Sequence, residues 1–149
     1  MTKEFDPDEI LLQLEGELQV VLRETATRVA SSVVLSTPIG RPDLWINPPP
    51  KGYRPGTARG NWRVGIGTIP VSQEIPEQDP AGAPTIAQAQ AVIRQWDGKQ
   101  ALYISNAADH IAPLMVDGTA SRQTRGPDAI NKAIKRGLNA VNRVTKELK

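Results

Sequence analysis

Cysteine is absent from the 149 residues, and histidine and phenylalanine occur once each. Without cysteine there is no disulfide framework, no thiol nucleophile and no thiolate metal site. His110, the sole imidazole, cannot supply a zinc centre of ordinary composition, even with Asp109 beside it. Aromatic residues make up only 4% of the chain, so aliphatic side chains and alanine must fill the core. No apolar run approaches the roughly 20 residues that span a bilayer. The acidic start, MTKEFDPDEILLQLEGE, also lacks the basic-then-apolar order of a signal peptide. The expectation is a protein made and assembled in the cytoplasm, with no cofactor, no metal and no membrane partner.

What is present is unevenly distributed. The net charge of +2 hides a polarity. The first forty residues sum to about −4, and those from Arg122 onward to about +6. The length suits one domain over 1–149. Asp6-Pro7 is a helix start, with an N-cap carboxylate and proline in the first position. From there Ile10, Leu14, Leu18, Val21, Thr25, Val29 and Ser32 or Val33 recur at three and four, predicting one long amphipathic helix that stops near Thr37-Pro38. Such a helix must cover its stripe on a sheet or a partner.

The stretch from Pro38 to Pro55 holds six prolines and predicts an arm spanning about 38–58, and 70–84 predicts a second proline-rich loop. Trp45 and Tyr53 sit on the first arm, either as anchors for a partner or folded back over the protein's own core edge. NWRVGIGTI alternates, with Trp62, Val64 and Ile66 on one face and Arg63 opposite, and predicts a strand. A short helix over Thr85–Trp96 follows, then a strand in QALYISNA. The last helix opens at Gly126-Pro127-Asp128 and carries the stripe Ile130, Ile134, Leu138, Val141, Thr145 and Leu148. Two terminal helices around a small sheet make the expected class α+β, with long proline-rich excursions.

Catalytic patterns are poor. Ser105, His110 and Asp117 could be drawn together, but there is no nucleophile elbow. RVGIGTIP does not meet a phosphate-binding glycine fingerprint, because its glycines lie inside a strand pattern and no helix follows directly. His110 is read as a packing or hydrogen-bonding residue, and no enzyme is expected. The basic last helix, with Lys132, Lys135, Arg136 and Arg143, makes a nucleic-acid-binding module the alternative.

Three segments resemble a known family. STPIGRPDLW through GTARGNWRV is similar to the TPVDTGRLRNSW region of the tail-completion and neck proteins of tailed bacteriophages, with a longer proline-rich insertion. The stretch from AQAVIRQWDGKQALYISNAADH through GPDAINKAI resembles their continuation. Gly56, Arg59, Asn61, Trp62, Asn106, Asp117-Gly118, Gln123 and Gly126 carry the match, while His110-Ile111 stands where Tyr-Ala is usual. The resemblance implies a structural virion protein at the head-to-tail junction. It would form a sixfold or twelvefold homo-oligomeric ring, touching connector or neck and tail-terminator or tail-tube proteins, with DNA passing through the lumen without sequence-specific binding. On this reading Trp45, Tyr53, Arg54, Arg59 and Arg63 are interface residues, with Arg59 pairing with Asp117 of its own or a neighbouring subunit. His110, Asp117, Arg122 and Arg125 complete that expected surface.

Overall fold

Asp6 caps the first helix as the sequence requires, accepting the amides of Asp8 at 3.0 Å and Glu9 at 3.4 Å, with Pro7 in the first turn. The computed structural model describes residues 6–49, 51–70, 73–118 and 129–147. Helix α1 spans Pro7–Ser36, and a 3-10 turn at Pro42–Leu44 and the short helix α2, Thr57–Gly60, follow. Strand β1 is Trp62–Ile66, helix α3 Ala83–Ile93 and strand β2 Leu102–Asn106. A π-helical turn at Ala112–Val116 leads toward the last helix, α4, Ala129–Glu147. The class is α+β, with both terminal helices and α3 packed around a two-stranded sheet.

The strands pair antiparallel, in the register Trp62 opposite Asn106 and Ile66 opposite Leu102. Alternation holds where the sheet meets the helices: Trp62 and Val64 are buried and Arg63 lies opposite. Val64 joins Ala26, Ala30, Ala89 and Ile93 in one core cluster. Trp62 joins Val33, Val34 and Ala133 in another, and Ala58, Ala108, Leu114 and Met115 form a third around the π-helical turn.

The stripe of α1 divides into two halves. Ala26, Ala30, Val33 and Val34 are buried, whereas every residue from Asp6 to Leu18 is exposed. The first half of the helix is therefore left without a cover by the rest of the described chain.

Helix α4 also departs from the expected stripe. Ala133 is fully buried and Leu138 is 42% exposed, while Leu148 lies outside the described residues. Small residues account for the difference. A Cβ on Gly137 would sit 2.7 Å from Val29 Cα and 2.9 Å from the Arg28 carbonyl oxygen, and the Ser32 hydroxyl donates to the Ala133 carbonyl at 2.6 Å. The backbones meet at Ala133 and Gly137, which rotates Leu138 outward. In an isolated helix alanine is preferred to glycine by about 1 kcal/mol, but here the added methyl meets backbone. Gly137→Ala should reverse the usual sign and lower stability by about 1–3 kcal/mol in chemical denaturation.

Candidate functional site

The polar centre of the molecule is the C-terminal end of α1. A helix leaves its last carbonyls without intrahelical partners, and α1 has no basic residue in its last turn. Arg59, on α2, supplies the missing donors. Its Nε and Nη2 reach the Thr37 carbonyl at 3.0 and 2.7 Å, Nη2 reaches Leu35 O at 3.2 Å, and Nη1 reaches Pro80 O at 2.6 Å. Thr37 is wholly buried; its hydroxyl donates to Val33 O at 2.7 Å and accepts from Trp62 Nε1 at 2.8 Å.

Asp79, also buried, completes the arrangement from the other side. It accepts from the Gly82 amide at 2.7 Å, the Thr85 amide at 2.9 Å and the Thr85 hydroxyl at 2.7 Å, and so serves the open donors at the start of α3. Burial pushes the Asp79 carboxyl upward, but the Thr85 and Gly82 hydrogen bonds and the nearby Arg59 charge together hold it below its ordinary value. Burial also lowers the Arg59 pKa, with Asp79 opposing that shift.

These contacts show which groups of their own chain the two arginines engage. The Arg59 guanidinium is engaged by carbonyls of its own chain and faces Asp79, not Asp117. Arg63 donates to Gly60 O at 2.6 Å and Trp62 O at 2.7 Å and forms an ion pair with Glu77. Asn61 binds the same loop through Ile75, donating to its carbonyl at 3.0 Å and accepting its amide at 2.8 Å. The described part of 70–84 is thus held to the rest of the molecule at Glu74, Ile75, Glu77, Asp79 and Pro80.

The proline-rich arm likewise folds back. The Gly56 amide bonds Ile39 O at 2.8 Å, closing the loop at its base. Trp45 and Tyr53 meet edge to face at 4.8 Å between ring centroids, and His110 lies 5.9 and 5.1 Å from them. Tyr53 lies across Gly40, where a Cβ would run into its hydroxyl, and Trp45 packs on the cluster of Ala58 and Leu114. Of the two readings open for Trp45 and Tyr53, packing over the protein's own core edge is the one adopted, because the loop's base and the facing apolar cluster bring the rings inward.

His110 is buried, its Nδ1 3.9 Å from Glu74 Oε2 and its Nε2 without a hydrogen-bond partner among the described residues. Burial lowers its pKa, and Glu74 and Asp109 oppose the shift. Its neighbours are aromatic rings and Glu74, so no hydrogen bond joins it to Ser105 or Asp117. No group of three His, Cys, Asp or Glu that could hold a metal occurs among the described residues. Arg54 and Asp117 are exposed; Arg122 and Arg125 lie outside the described residues.

Among the described residues, two apolar surfaces are left uncovered. On α1, Leu11, Leu14 and Leu18 are 59, 54 and 57% exposed and Val21 is 45% exposed, at the three-four-three spacing of a helix-packing seam. Further along the same helix a groove of about 420 Å³ runs between α1, the sheet and α4. Val33, Ile104, Ile111, Met115, Ile130 and Ile134 are among its walls, with Val116 at its exposed rim. No helix among the described residues is long and apolar enough to cross a membrane. No family model, curated protein or solved structure matches the chain.

Two residues give the fold a pH dependence of known sign. His110, depressed below 6.5, takes its proton later in the folded state, so stability should fall as pH drops below about 6.5 and level off below the folded value. Asp79, depressed below 3.8, stabilises the fold above that pH, and its contribution is lost as pH falls through its lower folded value. Urea midpoints measured from pH 8 to 2 should show both steps. His110→Phe should remove the first and relieve the unpaired Nε2, gaining about 1 kcal/mol. Asp79→Asn should flatten the second and cost about 1–2 kcal/mol at pH 7.

Proposed function

We propose that this protein is a structural component of a virion, acting at the junction of head and tail by assembling as a ring around the DNA channel. The motif resemblance from Thr37 onward supplies the class. The observation that carries the reading is the pair of unlike surfaces borne by one chain. The start of α1 is acidic and apolar; α4 is basic and flanks an apolar groove. Heterologous contacts between such surfaces build rings when the rotation closes.

Arg59, Asn61 and Trp62, which carry much of the resemblance, have structural work to do: they join the end of α1, the 73–82 loop and the sheet. Asn106 does likewise, donating to Ala58 O at 2.7 Å and accepting the Ala108 amide at 2.9 Å. On this reading the shared pattern preserves a scaffold, and the joining surfaces lie elsewhere on the chain.

One observation favours a second reading, nucleic-acid binding. Lys132, Lys135, Arg136 and Arg143 are all exposed, and their spacing puts them within about a third of the circumference of α4. Such a face attracts phosphate, and it equally attracts the carboxylates of a neighbouring protein.

Deleting the gene from the virus that carries it separates the two. The ring reading expects filled heads and completed but unjoined tails in electron micrographs, with joining restored by the wild-type gene. Normally joined particles would overturn it. Replacing the four basic residues by glutamine should leave the fold intact; if that variant fails only in binding DNA and still joins tails, the nucleic-acid reading takes its place.

A further inference from the structure

We infer that the exposed N-terminal half of α1 is the docking site for a basic amphipathic helix of another protein, one with large aliphatic residues on its stripe and Lys or Arg along both edges. A ring of this chain would then close through its other faces, leaving the seam for a neighbour of different sequence.

That the seam takes a helix follows from what its stripe does further along α1. Leu11, Leu14, Leu18 and Val21 run on through Thr25 to Val29 and Ser32 at intervals of three or four. In the packed half this face carries α4: a Cβ on Gly137 would lie 2.7 Å from Val29 Cα, and the Ser32 hydroxyl bonds the Ala133 carbonyl at 2.6 Å. Ala133 at Ser32 and Gly137 at Val29 make the two helices antiparallel. At 1.5 Å per residue, Glu147 of α4 is level with about residue 19 of α1. Leu11 and Leu14 lie beyond it, 59 and 54% exposed. The seam is therefore the uncovered continuation of a helix-packing face, and the segment that covers it takes up the line of α4.

The edges of the stripe set the charge of that segment. With Leu11 and Leu18 at the first and Leu14 and Val21 at the second core position of a heptad, the charged edge positions are Asp8 and Glu15 on one side and Glu17 and Glu24 on the other. All four are acids. Glu24 is paired with Arg28 at 2.6 Å, whereas Asp8, Glu15 and Glu17 are exposed and have no salt bridge among the described residues. The Asp97–Lys99 turn, which borders Glu15 and Leu18, adds one charge of each sign. Leucines inside and carboxylates on both edges complement a helix with lysine or arginine on its own edges.

A second copy does not supply such a helix. Two seams packed together, parallel or antiparallel, set acidic edge against acidic edge. Helix α4 is basic, but its Ala133, Gly137 and Val141 are buried in its own chain, and on its exposed side Leu138 is the one large apolar residue among those described. The stripe that would fill the seam is absent from it.

Fluorescence anisotropy of labelled synthetic helices titrated with the full chain tests this. The probe is a peptide of three heptads with Leu on its stripe and Lys at both edges; the controls are the same peptide with Glu at the edges and a scrambled peptide of the probe's composition. The lysine peptide should bind about tenfold or more tighter than either control. Leu14→Ser with Leu18→Ser should weaken it about tenfold, and Glu15→Lys with Glu17→Lys should invert the preference, so that the glutamate peptide binds the better. All four positions are exposed, so circular dichroism and melting midpoint should stay as in wild type. Equal binding of the scrambled peptide would show diffuse attraction between charges and overturn the inference, as would undiminished binding by the serine variant. So would self-association of the full chain that the serine variant abolishes, since a copy would then cover the seam. That last result leaves the ring reading intact, and the deletion phenotype tests the ring separately.

Discussion

Everything in this fold hangs on the capture of the end of α1 by Arg59. A long helix ends with carbonyls that need donors, and the chain places none in the last turn. The guanidinium of a residue 22 positions later reaches two of those oxygens and, with its remaining arm, the carbonyl of Pro80. Three segments that would otherwise wander meet at one planar cation: the helix end, α2 and the proline-rich loop before α3. Because guanidinium presents its donors in a fixed fork, it also sets their relative orientation. Thr37 and Trp62 seal the same point from the apolar side, and Asp79 passes the constraint on to the start of α3.

That arrangement decides where the hydrophobic material goes. With 4% aromatics, the chain builds its core by close backbone approach: Ala26, Ala30 and Ala133 are buried, and Gly137 lies against Val29. Small residues permit the approach but cover little length of helix. The larger aliphatic residues of α1, from Ile10 to Val21, stand outside the core. Helix α1 thus buries its alanines in the half that packs against α4 and leaves its leucines exposed in the other half.

The sequence discloses the elements well and their meetings poorly. The cap at Asp6, the stop at Thr37-Pro38, the alternation of the first strand and the α+β class all follow from local rules, which act over a few residues. Proline density was a weaker guide: the expected arm of 38–58 contains the 3-10 turn Pro42–Leu44 and the start of α2 at Thr57, and an extended arm does not follow. Proline removes backbone donors but leaves side chains free to pack, so Trp45 and Tyr53 close the loop onto His110. Arg59 and Arg63 illustrate the same limit. A pair of arginines beside a strand suggests surface contact, whereas carbonyls from 22 and 3 positions away occupy them. Asp79 carried a local signal, an acid and Pro84 ahead of an apolar period, obscured by the surrounding prolines. The open seam was visible as periodicity; that it lacks a cover is a property of the fold alone.

The free half of α1 is helical throughout, and this bears on how it can act. A disordered segment would lose conformational freedom on docking, and that loss would weaken binding. Here Asp6 closes the helix at its start, and tertiary packing from Ala26 onward anchors it at the other end. Isolated helices of this length are marginal in water, but this one is an extension of an already nucleated helix and adds each residue at the propagation step. Gly16 is the weak point of this half of the helix, with nothing within 4 Å of where its Cβ would be. The direction in which the seam points is therefore set by the packing of Ala133 and Gly137 against α1 and by the Arg59 capture at its far end. A disturbance at either site would tilt a lever about 22 Å long, so substitutions deep in the core would misalign a surface they never touch.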